Sequence, residues 1–341
     1  MKVLNLVYPE KSEIKFHDGL GNVGKTAKFP DGQQNIVINS DLEEDSIKSF
    51  WAVPGSSQSA FKSNVMQKYT IKQVNNIVLI KSRLNNWLDL ELIACAVASL
   101  RELGVEEIHL YVPYILGGRS DRKFGEGGNN YLKDVICPII NSLNFKSVTC
   151  VDPHSDVLEA CIKGFRKESN SFLVDDTISR LYGDSGECKW EDRFILISPD
   201  AGASKTIYKL AEQIGYKGDI ITCSKDRGVD GKLTKTVVPI KINGGPSKIG
   251  YYMSKDYIII DDICDGGATF INISKELKNQ GVTGKIYLIV THGIFSKGIK
   301  ELSQYFDGIY CTNSYKDITN IEFDGINTKD YKGFLKQLNL F

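Results

Sequence analysis

The chain has no surplus of charge. Lys and Arg together number 42, Asp and Glu also number 42, and the net charge is zero. Gripping nucleic acid or an anionic membrane over a broad face needs a basic excess, so anion binding here must be local. Paired cysteines are missing as well. The eight cysteines, at 95, 137, 150, 161, 188, 223, 264 and 311, include no CxxC pair. That spacing indicates neither a zinc site nor a disulfide framework, and it fits buried free thiols in a reducing cytoplasm. The opening residues MKVLNLVYPEKSE lack the apolar core and cleavage site of a secretory leader. No apolar run reaches membrane-spanning length. There is no short internal repeat. The expectation is a cytoplasmic protein with neither a nucleic-acid nor a membrane partner.

What is present is ample core material. The 341 residues are 42% hydrophobic, enough for two domains. Strand-like apolar runs occur at Asn76–Ile80, Glu107–Val112, Ser147–Val151, Phe194–Ile197, Asp219–Thr222, Tyr257–Ile260 and Ile286–Val290. Helix-like segments occur at Leu88–Leu103, Tyr131–Leu143, Ser204–Ile214 and Ile271–Gln280; Leu88, Leu92, Ala96 and Leu100 form a four-residue stripe. Strands spaced by helices predict an α/β protein of two domains, each a mainly parallel sheet flanked by helices. The expected divisions are 1–152, 153–312 and a tail, 313–341, packing back on the first domain. Lys167–Trp190 is polar and aperiodic and reads as a connection with some helix.

One run concentrates chemistry. Tyr257–Ile260 is followed by Asp261, Asp262, Ile263, Cys264, Asp265, Gly266, Gly267, Ala268 and Thr269. Adjacent acids at the carboxyl end of a strand can accept hydrogen bonds from a pair of ribose hydroxyls. Gly266 and Gly267 let the backbone turn closely, so that N–H groups converge on a phosphate. Thr269 offers a hydroxyl, and the following helix start favours an anion. An ordinary strand-to-helix connection with chance acids is the bland alternative.

This run resembles the ribose 5-phosphate loop of type I phosphoribosyltransferases and of ribose-phosphate pyrophosphokinases. Further motifs follow in that second family's order. Phe29-Pro30-Asp31-Gly32-Gln33 resembles its Phe-x-Asn/Asp-x-Glu, which reaches adenine, with Gln33 in place of Glu. Pro113-Tyr114 and then Arg119-Ser120-Asp121-Arg122 resemble a motif that contacts ATP, with Ser120 in place of Gln. Arginine suits such a ligand because its fork bonds phosphate oxygens in pairs. Asp152-Pro153-His154 resembles Asp-Leu-His, whose histidine ligates the magnesium of Mg-ATP. Ser198-Pro199-Asp200-Ala201-Gly202 nearly repeats a family motif in which the acid serves metal or ribose. Lys225-Asp226-Arg227 resembles the mobile Lys-x-Arg catalytic loop. Thr291-His292-Gly293 matches a strand end with a mainly structural part.

The resemblance implies two phosphoribosyltransferase-like, Rossmann-like domains. It implies ATP as co-substrate with Mg2+, and transfer of the β,γ-diphosphoryl group to a ribose C1 hydroxyl. Phe29, Asp31, Gln33, Arg119, Asp121 and His154 would serve ATP, with His154 and Asp200 on the metal. Lys225, Arg227 and Asp200 would be catalytic, and Asp261, Asp262 and 265–269 would hold the acceptor. It implies a homo-oligomer, dimer or hexamer. Gly266 and Ala268 stand where the family usually has hydroxyl-bearing or other residues. That departure resembles a divergent, often phage-carried branch acting on ADP-ribose for NAD rebuilding, and leaves ribose 5-phosphate and ADP-ribose both open as acceptors. A phosphoribosyltransferase and a silent nucleotide-binding homologue are the alternatives of other classes.

Overall fold

Strands that are apolar at successive positions need cover on both sheet faces, which a parallel sheet with helices on either side supplies. The computed structural model describes residues 1–8, 11–12, 15–17, 27–28, 30–39, 77–183, 190–227, 233–240, 249–318 and 334–341. They form two units, Met1–Glu168 with Phe341, and Ser169–Leu340.

The first unit runs β1 (Lys2–Asn5), β2 (Lys15–His17), β3 (Ala27–Lys28), β4 (Gln34–Asn35), β5 (Val37–Asn39), β6 (Ile77–Lys81), α1 (Trp87–Glu102), β7 (Glu107–Tyr111), α2 (Cys137–Ser142), β8 (Ser147–Val151), α3 (Val157–Cys161) and β9 (Phe165–Glu168). Its sheet has five parallel strands in the order β1-β6-β7-β8-β9. Pairs β2–β5 and β3–β4 are short antiparallel ribbons. α1 begins where Asn86 accepts from the Asp89 N–H at 3.0 Å, an N-cap contributing about 1 kcal/mol. Its Ile93, Ala96 and Leu100 are fully buried in the same core as Ile80, Ile108 and Leu110.

The second unit runs α4 (Ser171–Tyr182), β10 (Phe194–Ser198), α5 (Ala201–Gln213), β11 (Ile220–Thr222), β12 (Ser224–Arg227), β13 (Leu233–Val237), α6 (Ile249–Ser254), β14 (Asp256–Cys264), α7 (Ala268–Asn279), β15 (Ile286–Gly293), β16 (Gly308–Thr312) and β17 (Leu335–Leu338). Its six-stranded parallel sheet has the order β11-β10-β14-β15-β16-β17. Alternate residues of β14 enter different cores: Tyr257 and Ile259 on one face, Ile258 and Ile260 on the other. Each such side chain, taken out of water, stabilises the unit by about 1.5–3 kcal/mol.

Several expectations change. The first unit extends to Glu168 rather than 152, because β9 pairs in parallel with β8 (Val148 with Phe165, Val151 with Glu168). The tail does not pack on the first unit as a whole. Among its described residues, Leu335–Leu338 form β17 on the second sheet, beside β16, and only Phe341 joins the first unit. The polar stretch after Lys167, expected as a connection with some helix, does contain one, α4, with Leu173, Val174 and Ile178 buried. The single helix expected over 131–143 opens with a π-helical turn, Leu132–Ile136, before α2. Pro138 has no N–H to give the carbonyl four residues back, so regular winding is interrupted there. Among the described residues, no helix is long and apolar enough to cross a membrane. The described cysteines are free, and Cys137, Cys150, Cys223, Cys264 and Cys311 are buried.

Candidate functional site

Chain order reverses at one place in the second sheet. β11 lies outside β10, and the chain then returns to put β14 on the other side of β10. Loops leaving two such strands diverge and open a crevice at their carboxyl ends. Asp200 follows β10, and Asp261 and Asp262 lie on the last part of β14. Those acids were expected just after the strand; β14 instead continues to Cys264, where Ile263 and Cys264 pair with His292 and Gly293 of β15.

Asp200 caps α5, its Oδ1 accepting from the Ala203 N–H at 3.0 Å, while Ser198 Oγ donates to the Asp200 carbonyl at 2.8 Å. Asp261 Oδ1 accepts from the Asp262 N–H at 3.1 Å. Burial pushes the Asp261 carboxyl well above the usual carboxylate range, and the negative charges of Asp262 and Asp200 push it further. The three acids are therefore close enough to act on one another, and a cation or hydroxyl donors would relieve their repulsion.

Beyond Cys264 the chain turns through Asp265, Gly266 and Gly267 into α7. Gly267 is the N-cap, at φ 79°, and a Cβ there would stand 2.8 Å from Leu302 Cδ2, so only glycine fits. The N–H groups of Gly266, Gly267, Ala268 and Thr269 have no acceptor among the described residues. Consecutive open N–H groups at a helix start suit a phosphate. The turn is held from behind. Ile294 and Phe295 N–H groups donate to the Cys264 carbonyl at 3.0 and 3.1 Å, and Ser296 N–H donates to the Asp265 carbonyl at 3.2 Å. Phe295 has φ 46°, left-handed for a non-glycine residue, and its buried ring packs where a Gly293 side chain would stand. Lys297, which the sequence reading passed over, follows this turn: its Cδ and Cε lie 3.5 Å from the position of a Gly266 Cβ. A lysine soon after a strand-end motif was the available signal.

Thr291 and His292 are buried beneath this surface. His292 Nδ1 is 2.8 Å from Ser314 Oγ, and Asn170 Nδ2 donates to Thr291 Oγ1 at 3.2 Å. Lys225 and Arg227 stand on β12, antiparallel to β13; their side chains lie outside the described residues.

Arg119, Asp121 and His154 belong to the first unit. Arg119 and His154 are exposed and Asp121 is partly buried. The segment carrying Arg119 is braced by Leu132 N–H donating to the Ser120 carbonyl at 3.0 Å. Two residues before His154, Asp152 is buried with φ 43°, a backbone strain typical of functional turns. Asp31 and Gln33 are exposed in one turn, Gln33 N–H donating to Asp31 Oδ1 at 3.1 Å; Phe29 lies outside the described residues.

Residues 170–323 match the family model of the phosphoribosyl transferase domain. Over 233 residues the chain is 30% identical to the ribose-phosphate pyrophosphokinase of Mycoplasmopsis pulmonis, covering 67% of this chain and 65% of that protein. It is 26% identical over 218 residues to the ribose-phosphate pyrophosphokinase of Pyrococcus furiosus, covering 63% of this chain and 70% of that one. The chain thus spans about two thirds of the curated relatives it matches. A phosphoribosylpyrophosphate synthetase structure from Mycobacterium smegmatis superposes with a TM-score of 0.64 at 16% identity, over 93% of this chain and 85% of that one. That likeness is one of fold, and it agrees with the α/β architecture of parallel sheets flanked by helices.

Proposed function

We propose that this protein is an ATP-dependent diphosphokinase of the ribose-phosphate pyrophosphokinase type. An oxygen–phosphorus bond forms between the acceptor's C1 oxygen and the β-phosphorus of ATP. The bond from the β-phosphorus to the bridging oxygen breaks, AMP leaves on that oxygen, and the hydroxyl proton passes to solvent. The observation that carries the reading is the juxtaposition at the reversal of strand order: mutually repelling acids beside a turn of open N–H groups. Acids accept from sugar hydroxyls; the turn takes the sugar's phosphate. Together they would hold the acceptor in one orientation, which converts an encounter into a near-unimolecular step.

Lys225 and Arg227 are assigned to the charge that develops on the transferring group. Arg119, Asp121 and His154, with Asp31, Gln33 and Phe29, are assigned to the nucleotide. No group of three or more His, Cys, Asp or Glu side chains among the described residues could hold a metal ion alone. An oxygen-rich ligand such as Asp200 instead suits magnesium arriving on the nucleotide, to which that carboxylate would add a ligand; His154 is assigned to the nucleotide by resemblance. When bound, that ion would offset the triphosphate charge.

The acceptor is ribose 5-phosphate, as the names of the relatives support, or its 5′-capped form ADP-ribose, to which the absence of a hydroxyl at Gly266 points by resemblance. Incubation with Mg-ATP and each acceptor separately tests this, with AMP and a 1-pyrophosphorylated sugar as expected products. Absence of AMP with both acceptors overturns the class. The domain match over 170–323 also favours a phosphoribosyltransferase; pyrophosphate release that depends on an added base would select it.

A further inference from the structure

We infer that Lys297 supplies the cation of the acceptor cradle and commits it to a phosphate monoester, the dianionic end of ribose 5-phosphate, over the internal diphosphate of a 5′-capped acceptor. The inference deepens the reading above and rests on it. Gly266 has no side chain, and the space a Cβ would face is filled by the Lys297 stem, with Cδ and Cε at 3.5 Å and Cγ at 3.8 Å. The lysine stem therefore lies beside the first glycine of the turn of open N–H groups, with its ammonium one bond beyond Cε. The segment bearing it is fixed. Three N–H groups, from Ile294, Phe295 and Ser296, tie it to the Cys264 and Asp265 carbonyls. Phe295 holds the left-handed conformation that redirects the chain toward Lys297. Among the described residues no carboxylate pairs with Lys297.

Gly266, Gly267 and Ala268 carry no hydroxyl, so Thr269 is the side-chain hydroxyl donor of the turn. The lysine laid beside the first glycine brings a positive charge to the turn. A phosphate monoester carries about −1.5 to −2 at pH 7, because its second pKa is about 6. Each phosphate inside a capped diphosphate carries a single charge. A compact ammonium discriminates by local charge rather than by shape, so it favours the monoester. The space facing the Gly266 Cβ position, which a cap would use, is also occupied by the lysine stem.

The test compares wild type with Lys297→Met and Lys297→Arg, reading AMP formation at saturating Mg-ATP and, separately, binding of ribose 5-phosphate and of inorganic phosphate by calorimetry. Lys297→Met should raise the KM for ribose 5-phosphate about tenfold and weaken phosphate binding in parallel, with kcat and the KM for Mg-ATP within about twofold. Its preference for ribose 5-phosphate over ADP-ribose should fall by a similar factor. Lys297→Arg should recover most of the loss. An unchanged acceptor KM and phosphate affinity, or equal losses for both acceptors, would overturn the inference. If Lys297→Met does not fold, Lys297→Gln takes its place on this exposed position. If wild type makes no AMP with either acceptor, the diphosphokinase reading falls, and calorimetry still decides whether Lys297 holds a phosphate monoester.

Discussion

In the first unit the strands from β6 to β9 follow one another across the sheet in chain order, whereas in the second the chain lays β11 outside β10 before returning to β14. Both sheets are parallel and both bury their strands, yet only the second has a reversal among its described strands. The carboxyl ends differ in charge as well. Beyond β7 the first unit carries Arg119, Arg122 and Lys123 around Asp121, while at the carboxyl ends of β10 and β14 the second carries Asp200, Asp261, Asp262 and Asp265. Cations suit the many oxygens of a polyphosphate; acids suit sugar hydroxyls. The contrast teaches that sheet type does not decide chemistry, and that a reversal of strand order gives acids a place to converge.

If the contrast is real, variants in the two units should fail differently. The largest effect is expected from Asp261→Asn combined with Asp262→Asn, which should lower AMP formation about a thousandfold by replacing two charged acceptors for the sugar hydroxyls with neutral amides, half of whose polar atoms donate. Asp261→Asn alone should nevertheless stabilise the protein. A carboxyl whose folded pKa is raised contributes stability below its unfolded pKa and loses it as pH rises through the folded value. The variant escapes that loss, so its Tm advantage should be about 2–4 °C at pH 7 and vanish below pH 4. An equal Tm at both pH values would remove the repulsion.

Next in size, Lys225→Ala should reduce kcat about a hundredfold and leave both KM values within about twofold, in steady-state assays. Arg119→Ala should raise the KM for Mg-ATP about tenfold without moving the acceptor KM. A change in the acceptor KM instead would blur the contrast between the units. The smallest effect is read in stability. Gly267→Ala forces a side chain onto φ 79° and against Leu302, and should cost about 1–3 kcal/mol by chemical denaturation.

The parallel architecture was legible because runs such as Phe194–Ser198 and Ile286–Gly293 are buried at every position, which few other arrangements allow. β9 was not legible: in Phe-Arg-Lys-Glu only Phe165 is even partly buried, so nothing in its composition separates an edge strand from a loop. α4 was legible as some helix but not in its bounds, because Thr177 puts a polar residue inside the buried stripe, its hydroxyl donating to the Leu173 carbonyl at 2.7 Å. At the site, Asp261, Asp262 and Gly267 announce themselves by adjacency. Lys297 does not, because its place beside Gly266 comes from the β14–β15 pairing and the turn at Phe295, which are long-range facts.

The reversal also has a cost in time. β14 and β15 are joined through α7 and can pair as soon as that helix folds back. β10 and β14 must wait until everything between Ser198 and Asp256 has been gathered in, and such distant closures slow a chain's search. A refolding experiment should therefore see helical signal return first and capture of the sugar phosphate last, since the crevice does not exist until its two walls meet.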